Sequence, residues 1–178
     1  MLNDIVFAPE NDNAPGFGSQ PWRVLIADDE DEVHTVTKLA LADVMFKNRP
    51  LIFLHAYSAE EARCILSENN DVAIVLLDVV MESDHAGLQL VRDIRECMHN
   101  KRLRIVLRTG QPGQAPEREV VLNYDINDYK SKTELTRQKL LTCVISALRS
   151  FDDIVLLEKS VVGMENIVGA ADCIVYIT

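Results

Sequence analysis

From Trp22 onward the chain alternates short, β-rich apolar runs with stretches in which apolar residues recur at helical spacing. The runs are WRVLIA at 22–27, LIFLHAY at 51–57, VAIVLLD at 72–78, RIVLRT at 104–109 and the shorter INDYK at 126–130. The third is apolar without interruption, the pattern of a strand covered on both faces. Between the runs, residues 32–46 carry Val33, Val36, Leu39, Ala40 and Val44 at helical spacing, and 59–66 and 88–98 do likewise. A short fourth helix is predicted over 116–123, with Pro116 in the first turn, where a missing N–H costs nothing. Five strands alternating with helices predict an α/β fold built on a doubly wound parallel sheet.

The chain ends differently from how it begins. Residues 1–20 mix Asn, Asp, Pro, Gly and Ser with few hydrophobics, too little apolar surface to offset the entropy of ordering, so a flexible leader is expected. The last helix is predicted from Ser131, where Ser-Lys-Thr-Glu matches a capping box with Glu134 reaching back. It runs on through Ile154, Leu157, Val161, Met164, Val168, Ala171 and Val175, spaced by three and four as in a coiled-coil seam. Gly163 and Gly169 weaken it by about 1 kcal/mol each relative to Ala. Two readings stand: a helix packed on a downstream domain, or a parallel dimer stalk. CIVYIT at 173–178 looks strand-like. The expected division is a leader at 1–20, one domain at 21–150, and at 151–178 a helical linker or the start of a truncated downstream domain.

Composition narrows the function classes. With 178 residues there is room for one domain and a remainder; 48% apolar but only 6% aromatic residues suit an aliphatic core. Twenty-eight acids against 18 bases give a formal charge of −10, which repels phosphate backbones and argues against nucleic-acid binding. Lys101, Arg102 and Arg104 read as a solvated turn. Cys64, Cys97, Cys143 and Cys173 are too far apart for a local zinc knuckle and are expected to be reduced thiols in a cytoplasmic protein. No apolar run approaches the roughly 20 residues of a membrane span, so no membrane partner is expected.

The candidate chemistry lies at strand ends. Asp28 and Asp29 follow the first strand, Asp78 ends the third, Thr109 ends the fourth and Lys132 follows the fifth. In doubly wound sheets the carboxyl edge holds the ligand site, and a 2-1-3-4-5 order sets the first and third strands side by side, bringing Asp28, Asp29 and Asp78 together. Three converging carboxylates repel one another unless a cation intervenes, and Mg²⁺ suits one or two carboxylates plus a phosphate oxygen. Lys132 can balance an incoming phosphoryl group, with the Thr109 hydroxyl as hydrogen-bond partner. Glu30, Asp31 and Glu32 read as first-turn helix residues favoured by the macrodipole. His34 and His85 read as helix-surface and loop residues.

Taken together, LIADDE, VLLDVVM, VLRTG and NDYKSK make residues 22–150 resemble the receiver domain of two-component response regulators. The resemblance implies a flavodoxin-like five-stranded parallel sheet in the order 2-1-3-4-5 with an extended C-terminal helix. It carries over Asp78 as phosphoacceptor, Asp28, Asp29, Asp78 and the backbone carbonyl of Val80 as Mg²⁺ contacts, Thr109 as switch hydroxyl, Tyr129 as switch aromatic and Lys132 as the phosphate-contacting lysine. Lys130 competes for that last role from two residues back, about 6 to 7 Å along the strand. VVMESDHAGL, RTGQPGQAPEREV and YDINDYKSKTELTRQKL resemble more closely the receivers found upstream of a central sensor-like domain and an HD-GYP cyclic-di-GMP phosphodiesterase. Neither an HD nor a GYP sequence occurs here, so such activity would belong to residues outside this chain.

The implied reaction moves a phosphoryl group from a histidine kinase or phosphotransfer protein onto Asp78, with the signal passed to a downstream output domain and, through the last helix, to a second copy. Tyr129 is expected to turn inward as Thr109 closes on the phosphoryl group. The family usually has proline in a cis peptide after the lysine; Thr133 stands there, and a cis non-proline bond costs about 2.5 to 4 kcal/mol. Glu82 replaces another usual proline. Val80 and Gly110 offer no polar side chain to orient a hydrolytic water. A haloacid-dehalogenase-like phosphatase would need an acid where Val80 stands. A receiver acting only as a phosphorylation-independent dimerisation or docking module is the other reading.

Overall fold

The computed structural model describes residues 20–110 and 117–174, with side chains as far as Val161 apart from that of Glu134. The leader at 1–19, Pro116 and the chain after Ile174 lie outside the described residues. Six strands form one sheet: β1 Trp22–Ala27, β2 Met45–Phe46, β3 Arg49–Ala56, β4 Val72–Asp78, β5 Arg104–Thr109 and β6 Asp128–Ser131. Their order is β2-β3-β1-β4-β5-β6. Without β2, this is the expected five-stranded parallel sheet in 2-1-3-4-5 order. The helices are α1 Asp31–Leu41, α2 Ala59–Glu68, α3 Ala86–Arg92, which continues as a π-helical turn Asp93–Cys97, α4 Glu117–Asn123 and α5 Arg137–Ile174.

The side-chain period of two splits the strands between two cores. Leu25, Ala27, Val75, Leu77, Ile105 and Leu107 face α2, α3 and α4 through Leu66, Leu90 and Val120. Val24, Ile26, Ile74, Leu76 and Val106 face the other way, onto Leu41 of α1 and Leu140, Val144 and Leu148 of α5. All of β4 is buried, as its uninterrupted apolar run predicts. Each fully buried Leu or Val side chain contributes roughly 1.5 to 3 kcal/mol, so the sheet is held rigidly and its carboxyl edge can carry precise chemistry.

Three local expectations change. The helix predicted to reach residue 46 stops at Leu41, and Met45–Phe46 pairs antiparallel with Arg49 and Pro50. Lys47 and Asn48, at φ 50° and 59°, make the two-residue left-handed turn that suits strand twist. The buried stripe of α1 is His34, Thr37 and Leu41, while Val36 and Leu39 are 64% and 69% exposed. Finally, α5 starts at Arg137, not Ser131. Lys132–Glu134 form a 3-10 turn, the Ser131 hydroxyl bonds that of Thr133 at 2.8 Å, and Thr136 Oγ1 accepts from Lys139 N at 3.3 Å as the actual cap. No cis peptide bond occurs among the described residues, so Lys132–Thr133 is trans.

From its start near the strand ends, α5 runs back across the sheet. Phe151 packs edge-on against Trp22 at the start of β1, and Lys47 pairs with Asp152. Arg102, read as part of a solvated turn, pairs with Glu158 at 2.6 Å, and Arg104 is 8% exposed within β5. The domain therefore grips α5 as far as Glu158. Leu156, Leu157 and Val161 are exposed.

Candidate functional site

Register brings the acids together. β1 pairs with β4 up to Ala27↔Leu77, and β4 pairs with β5 up to Asp78↔Arg108, so Asp28, Asp78 and Arg108 end one row across three adjacent strands. Asp28 and Asp78 are 0% and 3% exposed. Carboxylate oxygens of Asp28, Asp29, Glu30 and Asp78 lie within 4.8 Å of one another. Glu30, read from the sequence as a first-turn helix residue, is instead the residue before α1 and a member of this cluster.

Lys132 Nζ stands among these oxygens, 2.7 Å from Asp78 Oδ2, 3.1 Å from Asp28 Oδ2 and 2.9 Å from Glu30 Oε1. Lys130 pairs instead with Asp128 at 2.8 Å, away from the cluster. Burial alone would lower the proton affinity of Lys132; its bonds to Asp78 and Glu30 outweigh that and hold the ammonium above the ordinary lysine range. Burial, with Asp28 adding to it, pushes the Asp78 carboxyl up, while the Lys132 bond works the other way. Asp78 Oδ1 is buried with no hydrogen-bond partner among the described residues. An orphaned carboxylate oxygen beside three further carboxylates is the donor set of a hard divalent cation, so these residues fit Mg²⁺.

The remaining expected residues sit around the acids. Thr109 is fully buried at the end of β5, and Tyr129 is 7% exposed on β6 with its hydroxyl bonded to the Thr109 side chain. Tyr129, expected to turn inward, is thus already inside. Val80, two residues past Asp78, packs half-buried on the core beneath α3. Glu82 accepts from Ala59 N at 3.1 Å through both carboxylate oxygens, tying the loop after Asp78 to the start of α2.

Three residues escaped the sequence reading. Gly87 lets α3 rest on the site: a Cβ there would lie 1.9 Å from the Asp78 carbonyl oxygen. The unexplained Gly in a helix start was its only sequence signal. His34, expected on the helix surface, is 3% exposed; its Nε2 lies 2.7 Å from Asp28 O and its Nδ1 lies 2.9 Å from His55 Nδ1. With Nε2–H donating to the Asp28 carbonyl, Nδ1 is left to accept from His55. Arg108, third, is 3% exposed and pairs with Asp28 at 3.3 Å. An Arg in an otherwise apolar strand was the visible clue.

Comparison with known proteins agrees with this geometry. The family model described as response regulator receiver domain matches residues 24–145. Over 164 residues the chain is 47% identical to the Vibrio cholerae serotype O1 protein named 3'3'-cGAMP-specific phosphodiesterase 2, covering 92% of this chain but 31% of that protein. The chain thus spans about a third of that relative's length. A receiver domain protein from Clostridium thermocellum superposes with a TM-score of 0.62 at 21% identity, covering 75% of this chain and 98% of the other. The receiver of an HD domain-containing protein from Pseudomonas fluorescens Pf-5 gives 0.62 at 20%, covering 75% and 90%. A chain of the CheX-CheY-BeF3-Mg complex from Borrelia burgdorferi gives 0.58 at 24%, covering 71% and 88%. At these identities the structures establish the shared fold.

Proposed function

The chain belongs to the response regulator receiver family, and on that premise we propose that Asp78 is its phosphoacceptor, taking a phosphoryl group from a histidine kinase or phosphotransfer protein. The observation that carries this reading is the orphaned Asp78 Oδ1 inside a cluster of four carboxylates, with Lys132 2.7 Å from Oδ2. In the transfer, the phosphorus–nitrogen bond of a phosphohistidine breaks and a phosphorus–oxygen bond to Asp78 forms, the imidazole leaving with the electron pair. Lys132 offsets charge on the phosphoryl oxygens throughout. Asp28, Asp29, Asp78 and the Val80 carbonyl would hold Mg²⁺, which when bound neutralises charge between carboxylates and phosphate.

The signal is the new dianionic group. Thr109, now bonded to Tyr129, exchanges that partner for a phosphoryl oxygen, and the exchange loosens the inward Tyr129 and biases β6 and the start of α5 between two states. Because α5 crosses from the acidic edge to Glu158 at the opposite edge, it is the physical route to an output domain. By similarity to the Vibrio relative, that output is a cyclic-dinucleotide phosphodiesterase of HD-GYP type in a longer cytoplasmic protein, with Leu157 and Val161 on a helix that pairs with a second copy. No described helix is long and apolar enough to cross a membrane.

Acetyl phosphate with Mg²⁺, followed by intact mass, tests the assignment. The expected result is one added phosphoryl group in the wild type and none in Asp78→Asn. Equal addition to both, or to neither, refutes it, and no addition with intact α5 pairing would favour a phosphorylation-independent dimerisation module.

A further inference from the structure

One cation in the acidic row has no part in the chemistry above. Arg108 lies on β5 in register with Asp78, one residue before Thr109. Neighbouring strands are about 4.8 Å apart, so to reach Asp28 on β1 its side chain must cross the width of β4 beside Asp78. It does so: Nη2 lies 3.3 Å from Asp28 Oδ2, and Nη1 donates to Thr37 Oγ1 of α1 at 2.9 Å. Nε has no partner among the described residues. Val106, two residues back on the same face, shows that this side of β5 packs well with an aliphatic residue. Burying a guanidinium here carries a desolvation cost of several kcal/mol that packing alone does not require.

Two consequences follow from the placement. Asp28 is held at both oxygens, Oδ1 by Glu30 N and Lys132 Nζ at 3.2 Å each and Oδ2 by Arg108 and Lys132, so its carboxylate has one orientation. The four clustered carboxylates, set against Lys132 and Arg108, leave a formal charge equal and opposite to one divalent cation.

We propose that Arg108 is a positioning residue for the metal and phosphoryl chemistry at Asp78: it locks the Asp28 carboxylate and holds the pocket's charge to what one divalent cation balances. Its field opposes the metal and favours the dianionic phosphoryl group. The proposal rests on the reading of Asp78 as a metal-assisted phosphoacceptor.

Calorimetric titration of the full chain with MgCl2, and initial rates of phosphoryl uptake from acetyl phosphate at saturating Mg²⁺, test it in Arg108→Met and Arg108→Lys. Met keeps the buried stem without the charge; Lys keeps the charge without the fork. Arg108→Met is expected to bind Mg²⁺ at least about tenfold more tightly, yet to take up phosphoryl at least about tenfold more slowly. Arg108→Lys is expected to stay within about threefold of wild type in Mg²⁺ affinity. A residue that only supports packing would weaken both measurements together or move neither, and either result overturns the proposal. Should Arg108→Met fail to fold, Arg108→Gln carries the same expectation. If the wild type takes up phosphoryl in a Mg²⁺-dependent way and the neutral variant matches it, only the role of Arg108 falls. If the wild type neither binds Mg²⁺ nor takes up phosphoryl, the reading of Asp78 falls and this proposal with it.

Discussion

Gly87→Ala should damage both the stability and the chemistry of this domain, although it replaces a poor helix former with the best one. The added Cβ would meet the Asp78 carbonyl oxygen at 1.9 Å, its carbon at 2.9 Å and Val79 Cα at 2.9 Å, all of them backbone atoms that no rotamer change can move. Relief requires α3 to retreat by about 1 Å, which breaks the 3.1 Å bond from Gly87 N to Val79 O at about 1 kcal/mol. The same retreat unpacks Leu88, Leu90 and Val91 from the core, an overpacking cost of about 1 to 3 kcal/mol. Better helix propensity returns at most about 1 kcal/mol, leaving a net loss of about 2 to 3 kcal/mol. Gly110→Ala is the control. The nearest atom to its Cβ would be Lys132 Cδ at 3.9 Å, and no described glycine has positive φ, so the change should fall within about 0.5 kcal/mol of wild type. Urea denaturation followed by circular dichroism measures both, and acetyl phosphate labelling reads the displacement of Asp78 as slowed uptake in Gly87→Ala. A Gly87→Ala variant as stable as Gly110→Ala, with wild-type labelling, would refute the close approach of α3 to the site.

Asp78→Asn should be more stable than wild type at pH 7. Burial and Asp28 raise the proton affinity of Asp78 in the folded state, so between its unfolded and folded pKa the native protein binds the extra proton and stability falls as pH rises. The advantage of Asn should therefore shrink as pH falls below the ordinary carboxylate range; a gap that widens with acid contradicts the assignment. Mg²⁺ at about a hundred times its dissociation constant should stabilise the wild type by about 2.7 kcal/mol, seen as a higher Tm. An equal rise in Asp29→Asn would remove that residue from the metal site. Since Val80 and Gly110 present no polar side chain, the phosphoaspartate should decay over minutes or longer, and loss within seconds in Mg²⁺ would contradict this. Sedimentation should show a dimer that Leu157→Lys converts to monomer; an unaltered wild-type monomer would exclude pairing through α5.

The order of elements and the acidic edge were legible because both arise from local pattern. A period of two or 3.6 follows from backbone geometry within a few residues, and β1, β4 and β5 run over the residues that pattern predicts. Once strand order follows from alternation, Asp28, Asp29, Asp78, Thr109 and Lys132 must gather at one edge. The choice between Lys130 and Lys132 was different, because both leave the same strand. Only the 3-10 turn after β6, which swings Lys132 over the carboxylates, separates them.

What tertiary structure alone decided concerns polar groups buried by remote partners. Arg108 reaches Asp28 and Thr37, 80 and 71 residues away in the chain, and no window of sequence contains that compensation. His34 lies inward on α1 where Val36 and Leu39 would have been the apolar choice, because the Asp28 carbonyl and His55 supply its hydrogen bonds. Hydrophobic spacing reports which side chains avoid water; it is silent on a charged or polar side chain whose cost of leaving water is offset by another strand. The sequence by itself determined the sheet and the edge at which the acids meet. The packed fold decided which cations stand among them, since that depends on register between strands and on the path of the chain after β6.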